Sequence, residues 1–232
     1  MGFPVLGVPN SVKYIIYKRF HTNKMQPEKI KLKNVPISSI AGILTIIVFG
    51  LSVIMSIMNY PGEFAPMETW IGAYGNQELN PHGVWYFNTG CIITGLLLSV
   101  FFIGVYQWFT PQTGKNLLLI SGIAAGILTS LLVVLTGFMP WFIDLDNSSH
   151  TMVYFTLIVL AVLLINLALR KNPNYSEATA GMGWSSTAMV SLMWIAYIAD
   201  IGPLSIVWFA MFALLAWASL FMRDSYNLSR AL

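Results

Sequence analysis

The stretch SSIAGILTIIVFGLSVIMSIMNY, residues 38–60, decides the fold. It contains no charged residue. A membrane core about 30 Å thick needs roughly 20 apolar residues of helix, because the helix rises about 1.5 Å per residue. Five further stretches read the same way: Trp85–Phe109, Asn116–Met139, His150–Leu169, Met182–Ala199 and Pro203–Met222. A backbone in hydrocarbon must satisfy its own polar groups, which leaves helices and closed barrels. These runs are too long and continuous for barrel strands. The expected fold class is all-α: an integral membrane bundle of six transmembrane helices, with a short amphipathic helix at the N-terminus.

Composition agrees. Of 232 residues, 56% are hydrophobic and only 9% charged, against about 25% charged in soluble domains. That is too little charge to cover a water-facing surface. The single cysteine, Cys91, rules out an internal disulfide framework and any zinc site built on cysteines. It falls within an apolar run and reads as a small core residue. Met1 to Asn10 lack the basic start and apolar core of a cleavable signal, so the first span is expected to direct insertion.

The basic residues segregate. Lys13, Lys18, Arg19, Lys24, Lys29, Lys31 and Lys33 precede the first span, Lys115 follows the second, Arg170 and Lys171 follow the fourth, and Arg223 and Arg230 follow the sixth. The alternate loops carry Glu63, Glu68, Glu78, Asp144, Asp146 and Asp200 instead. Basic flanks stay cytoplasmic. The chain is therefore expected to lie in the cell membrane as a multi-pass protein with both termini cytoplasmic. Residues 1–36 form a basic, amphipathic N-terminal segment. Residues 37–222 form the six-helix domain, with outer loops at 61–84, 140–149 and 200–202. Residues 223–232 form a cytoplasmic tail.

In the N-terminal segment, Val12, Ile15, Ile16 and Phe20 share one helical face beside Lys13 and Arg19. This suits a helix lying on the inner leaflet, or one that recognises an anionic lipid. Trp70, Trp85 and Trp141 are expected at the outer interface, and Trp108 and Trp184 at the inner one.

Chemistry is sought in the outer loops. The first, residues 61–84, carries Gly72, Gly75, Asn76, Asn80, Pro81 and Gly83. This turn chemistry beside Phe64, Trp70, Ile71 and Tyr74 points to an ordered loop. Asn88, one turn into the second span, must find partners in lipid. It can cap that loop or contact a substrate. The third loop places Asp144, Asp146 and His150 on the face that His82 shares. These four are the candidate acid–base residues, and His82, His150 and Asp146 the weak candidates for a metal. Their spacing matches no ligand motif, and Asn147, Ser148 and Ser149 equally suit a helix cap. No cofactor is expected. Paired histidines for haem are missing from the spans, and no charge sits mid-span to suggest ion transport. Gly122 and Gly126, four apart, permit close packing either within the bundle or between copies.

The motifs Trp70 to Asn76 (WIGAYGN), Asn80 to Gly83 (NPHG) and Tyr86 to Gly90 (YFNTG) resemble those of the DUF998 family of six-helix membrane proteins. Helix count, the long first outer loop and His150 opening the fourth span are also distantly similar to the Frag/DRAM/Sfk family. Where related chains carry Ile-Ser-x-Leu, this one has Ile71-Gly72-Ala73-Tyr74, and so lacks a polar residue there. The resemblance implies a lipid-interacting or partner-binding membrane component without catalysis. Asn76, Asn80, Asn88, Trp85, Trp141, Lys13 and Arg19 would then make the lipid or partner contacts. Two other readings stand beside it: a lipid-modifying, possibly metal-dependent enzyme, and an accessory subunit of a larger membrane complex. Expected partners are membrane lipids, other membrane subunits or a second copy, and no nucleic acid.

Overall fold

The computed structural model describes residues 35–63, 69, 71–109, 116–139, 149–199 and 204–231. Among these residues six long helices follow one another: α1 (Ile37–Met58), α2 (Val84–Gly104), α3 (Asn116–Phe138), α4 (Ser149–Leu169), α5 (Glu177–Ile198) and α6 (Leu204–Ala231). Short 3-10 helices lie at Ile71–Gly75, before α2, and at Val105–Trp108, after it. No strand occurs among the described residues. The amphipathic segment with Lys13 and Arg19 lies outside them.

Burial is inverted relative to a water-soluble bundle. Ile40, Ile43, Ile47, Leu51, Ile54 and Met58 face outward along α1 at helical spacing, and Leu96, Ile103, Leu128, Leu131, Leu160, Ile195 and Phe209 do so elsewhere. Inside are Ser38, Ser39, Ser56, Asn80, Asn88, Thr94, Thr129, Ser130, Asn166, Ser186 and Asp224. An apolar surface this continuous does not remain dispersed in water. It is the surface expected when the solvent is lipid and the interior holds the polar groups. The protein is a multi-pass helical membrane protein.

Among the described residues five helices, all except α5, are long and apolar enough to cross a membrane by length and composition. α5 matches them in length, with 22 residues. Its extra polarity is internally satisfied: Ser185, Ser186, Thr187 and Ser191 each donate to the carbonyl four residues back.

Consecutive helices pack as neighbours, and α6 returns to α1 to complete a ring. Close approach depends on small residues. A Cβ at Gly104 would lie 2.8 Å from the Ser38 backbone nitrogen, so α1 and the end of α2 touch there. Gly122 faces Ala161 and Ile165 of α4, and Gly126 lies under the Phe102 ring. Both glycines of that pair therefore serve contacts within the chain.

α6 runs further than the hydropathy suggests, through residues 223–231 of the expected tail. Its 28 residues span about 42 Å at 1.5 Å each, longer than a hydrocarbon core of about 30 Å. The sequence pattern marks where hydrocarbon ends, whereas the helix continues because its last turns are anchored. α5 similarly begins at Glu177, five residues before the apolar run at Met182, because Ser176 caps it: Ser176 Oγ accepts from Thr179 N–H at 3.2 Å.

Candidate functional site

Three features stand out: a cap over one end of the bundle, a cavity along its axis, and a polar clamp at the opposite end.

The cap is built on Asn80, which has no exposed surface. Its Nδ2 lies within hydrogen-bonding distance of Ser56 Oγ (2.9 Å), Tyr74 O (3.0 Å) and Ser56 O (3.2 Å). Its Oδ1 accepts from Gly83 N–H at 2.9 Å. A Cβ at Gly83 would meet Asn80 and the Ser56 carbonyl at 2.4–2.5 Å, which explains glycine there. Asn76 Oδ1 accepts from Glu78 N–H (2.7 Å) and Leu79 N–H (3.2 Å), forming an Asx turn. Asn88 donates to Gly75 O at 3.4 Å. Tyr74 is wholly buried, edge-on to Tyr60. Loss of water, with a smaller contribution from Tyr60, pushes its phenol up to about 12.

These residues show where the expected contacts stand. Asn76, Asn80 and Asn88 hold the cap together from within, and Asn80 is shut off from any lipid or partner outside. Trp85 is 75% exposed beside the cap, as an interfacial anchor should be. His82 is exposed on the cap surface. Trp141, Asp144 and Asp146 lie outside the described residues. His150 is in the first turn of α4, and its side chain is outside the description. The acid–base and metal candidates are thus not brought together by any described contact.

Under the cap lies a cavity of about 250 Å³. Its walls come from Gly42, Thr45 and Phe49 of α1, Phe87, Cys91, Thr94, Leu98 and Phe101 of α2, and Thr129, Val133 and Thr136 of α3. Tyr154, Phe155 and Ile158 of α4 and Met211, Leu214, Trp217 and Ala218 of α6 complete them. Ile71 and Gly72 of the cap close one end. Along α2 the lining runs from Phe87 to Phe102, a rise of about 22 Å. Among the described residues no charged side chain or histidine contributes. The wall hydroxyls of Thr45 and Thr129 donate to carbonyls of their own helices. Thr136 does so as well and also meets Tyr154 Oη at 2.5 Å.

The clamp was not foreseen. Asp224, 2% exposed, accepts from Ser176 N–H (2.8 Å) and Thr179 Oγ1 (2.6 Å) at the start of α5. It also accepts from Arg223 Nη2 at 3.1 Å, and Arg223 Nη2 donates to Ser176 Oγ at 2.9 Å. Nearby, Asn166 of α4 donates to Ala180 O (2.9 Å) and accepts from Tyr175 Oη. Trp217 Nε1 donates to Tyr175 Oη at 3.3 Å, and burial is the main cause that raises the Tyr175 phenol above its usual range. Ser39 donates to Met222 O at 3.0 Å, which brings in α1. Trp108, expected as an interfacial anchor, is instead buried and donates to Ser225 Oγ at 3.0 Å. A buried indole N–H finds such a partner as a rule, so the ring can pack inside without leaving its donor unpaired. Two signals in the sequence mark this end: a carboxylate immediately after a span at Asp224, and a lone amide, Asn166, inside one.

Comparison with known proteins gives no match: no family model, no curated protein and no solved structure matches this chain.

Proposed function

We propose that this protein is a non-catalytic, lipid-interacting membrane component, one that holds a single hydrocarbon chain along the axis of its helix bundle beneath an ordered outer cap. One observation carries this reading: the cavity of about 250 Å³, long, walled by five helices and lined by no charged side chain among the described residues. A cavity lined by apolar groups stays dry and takes apolar guests. Its rise of about 22 Å along α2 suits a chain rather than a compact molecule. The cap supports the same reading, since Ile71 and Gly72 form its lid from within a loop that Asn80 makes rigid. The motif residues Gly75, Asn76, Asn80 and Asn88, through which the chain resembles the DUF998 family, are the ones that build this lid. Native mass spectrometry of protein released from mild detergent tests the proposal. The expected spectrum carries a bound lipid mass at about one per chain, and a spectrum of bare protein alone would reject it.

The cap is assigned to the outer face of the cell membrane and both termini to the cytoplasm, on the segregation of basic residues. Glu78 in the cap and Pro173 between α4 and α5 are both exposed, and Cys91 is buried. Cysteines placed at 78 and 173 should therefore report topology over a low background. An impermeant thiol reagent on intact cells is expected to label position 78 and spare 173. The reverse pattern would invert the orientation.

A further inference from the structure

Resting on the hydrocarbon-chain reading, we infer that the cavity selects an uncharged lipid bearing one hydroxyl or carbonyl at mid-membrane depth, which Thr94 recognises. The argument starts from an imbalance on the cavity wall. Thr45, Thr129, Thr136 and Tyr154 all have hydrogen-bond partners within the protein. Thr94, on the same wall and 5% exposed, has a hydroxyl with none. A buried hydroxyl without a partner is costly, and native structures rarely leave one without reason. The hydroxyl and methyl of a threonine change places by rotation about χ1. The Thr94 oxygen has no accessible surface in this structure, and a χ1 turn that exchanges it with the methyl would bring it to a group held in the cavity.

Depth and charge narrow the ligand. Thr94 lies ten residues into α2 from Val84, about 15 Å along the axis, or midway through a core of about 30 Å. The acyl tail of an ordinary phospholipid carries nothing polar at that depth. Among the described residues no charged side chain or histidine lines the cavity, so a carboxylate or phosphate would find no counter-ion among them and would be buried at high cost. What remains is a neutral chain with a single hydrogen-bonding group, as in a long-chain alcohol or ketone.

Purified full-length protein in detergent is titrated with hexadecane, 8-hexadecanol (its hydroxyl at mid-chain) and palmitate, reading bound mass by native mass spectrometry. Wild type is expected to hold hexadecanol about threefold to tenfold tighter than hexadecane, the value of one neutral hydrogen bond, and palmitate most weakly. Thr94→Val should erase the preference while still binding hexadecane, and Thr94→Ser should keep it. Equal affinity for the two neutral probes in wild type would overturn this inference alone. So would a preference that survives Thr94→Val, or tighter binding of palmitate. If neither neutral probe binds wild type, the hydrocarbon-chain reading falls with it.

Discussion

Asp224→Ala is expected to lower the unfolding free energy in detergent by on the order of 3 kcal/mol, because one buried and one part-buried donor each lose a partner, at about 1–3 kcal/mol for a donor left buried and unsatisfied. Those donors are the Ser176 N–H and the Thr179 hydroxyl, at 2.8 and 2.6 Å from Asp224 Oδ2. The Arg223 pairing adds little, since that side chain is half exposed and exposed ion pairs contribute about 0–1 kcal/mol. The loss should fall on the docking of α5 against α6, because Asp224 reaches across to cap α5. Asp224→Asn keeps an acceptor oxygen and should cost clearly less. Chemical denaturation followed by the fluorescence of Trp217 and its neighbours measures both variants. An alanine variant as stable as wild type would show that the clamp does not hold these helices together.

Ala218→Phe is expected to abolish most lipid retention while leaving the bundle folded. Ala218 lines the cavity beside Trp217, and a ring there fills space that a chain would otherwise occupy. Overpacking costs about 1–3 kcal/mol where a core is already full, so the thermal midpoint distinguishes the two cases. A ring accommodated in the cavity leaves the midpoint near that of bare wild type, whereas a ring with no cavity to enter lowers it. Leu98→Trp, from the facing helix, should have the same effect independently. Bound lipid unchanged in both variants would place the lipid elsewhere on the protein.

The spans were legible because hydrocarbon imposes length and apolarity on every segment that crosses it, and α1 to α4 begin and end close to where hydropathy places them. The start of α5 and the end of α6 were not. Ser176 starts a helix by capping it, and Asp224 extends one by anchoring it, and neither act alters hydropathy. The order of residues 71–83, the main described part of the first outer loop, was readable from its turn residues beside Ile71 and Tyr74. The role of Asn80 was not, because a sequence cannot show whether an asparagine turns outward to a ligand or inward to Ser56 and Tyr74. Trp108 misled for the same reason: an aromatic at a span end fits an interface as well as a core, and only its bond to Ser225 decides. The cavity was invisible beforehand, since its wall residues are ordinary apolar side chains drawn from five helices. It arises where the ring of helices is wider than their side chains can fill.

The most direct test is a density map of the full-length protein in a lipid nanodisc, inspected along the bundle axis between Ile71 and Trp217. The account predicts continuous tubular density within contact distance of Phe87, Leu98 and Leu214, closed off at one end by the cap. Side chains meeting across the axis, or a file of ordered water in place of a chain, would contradict it.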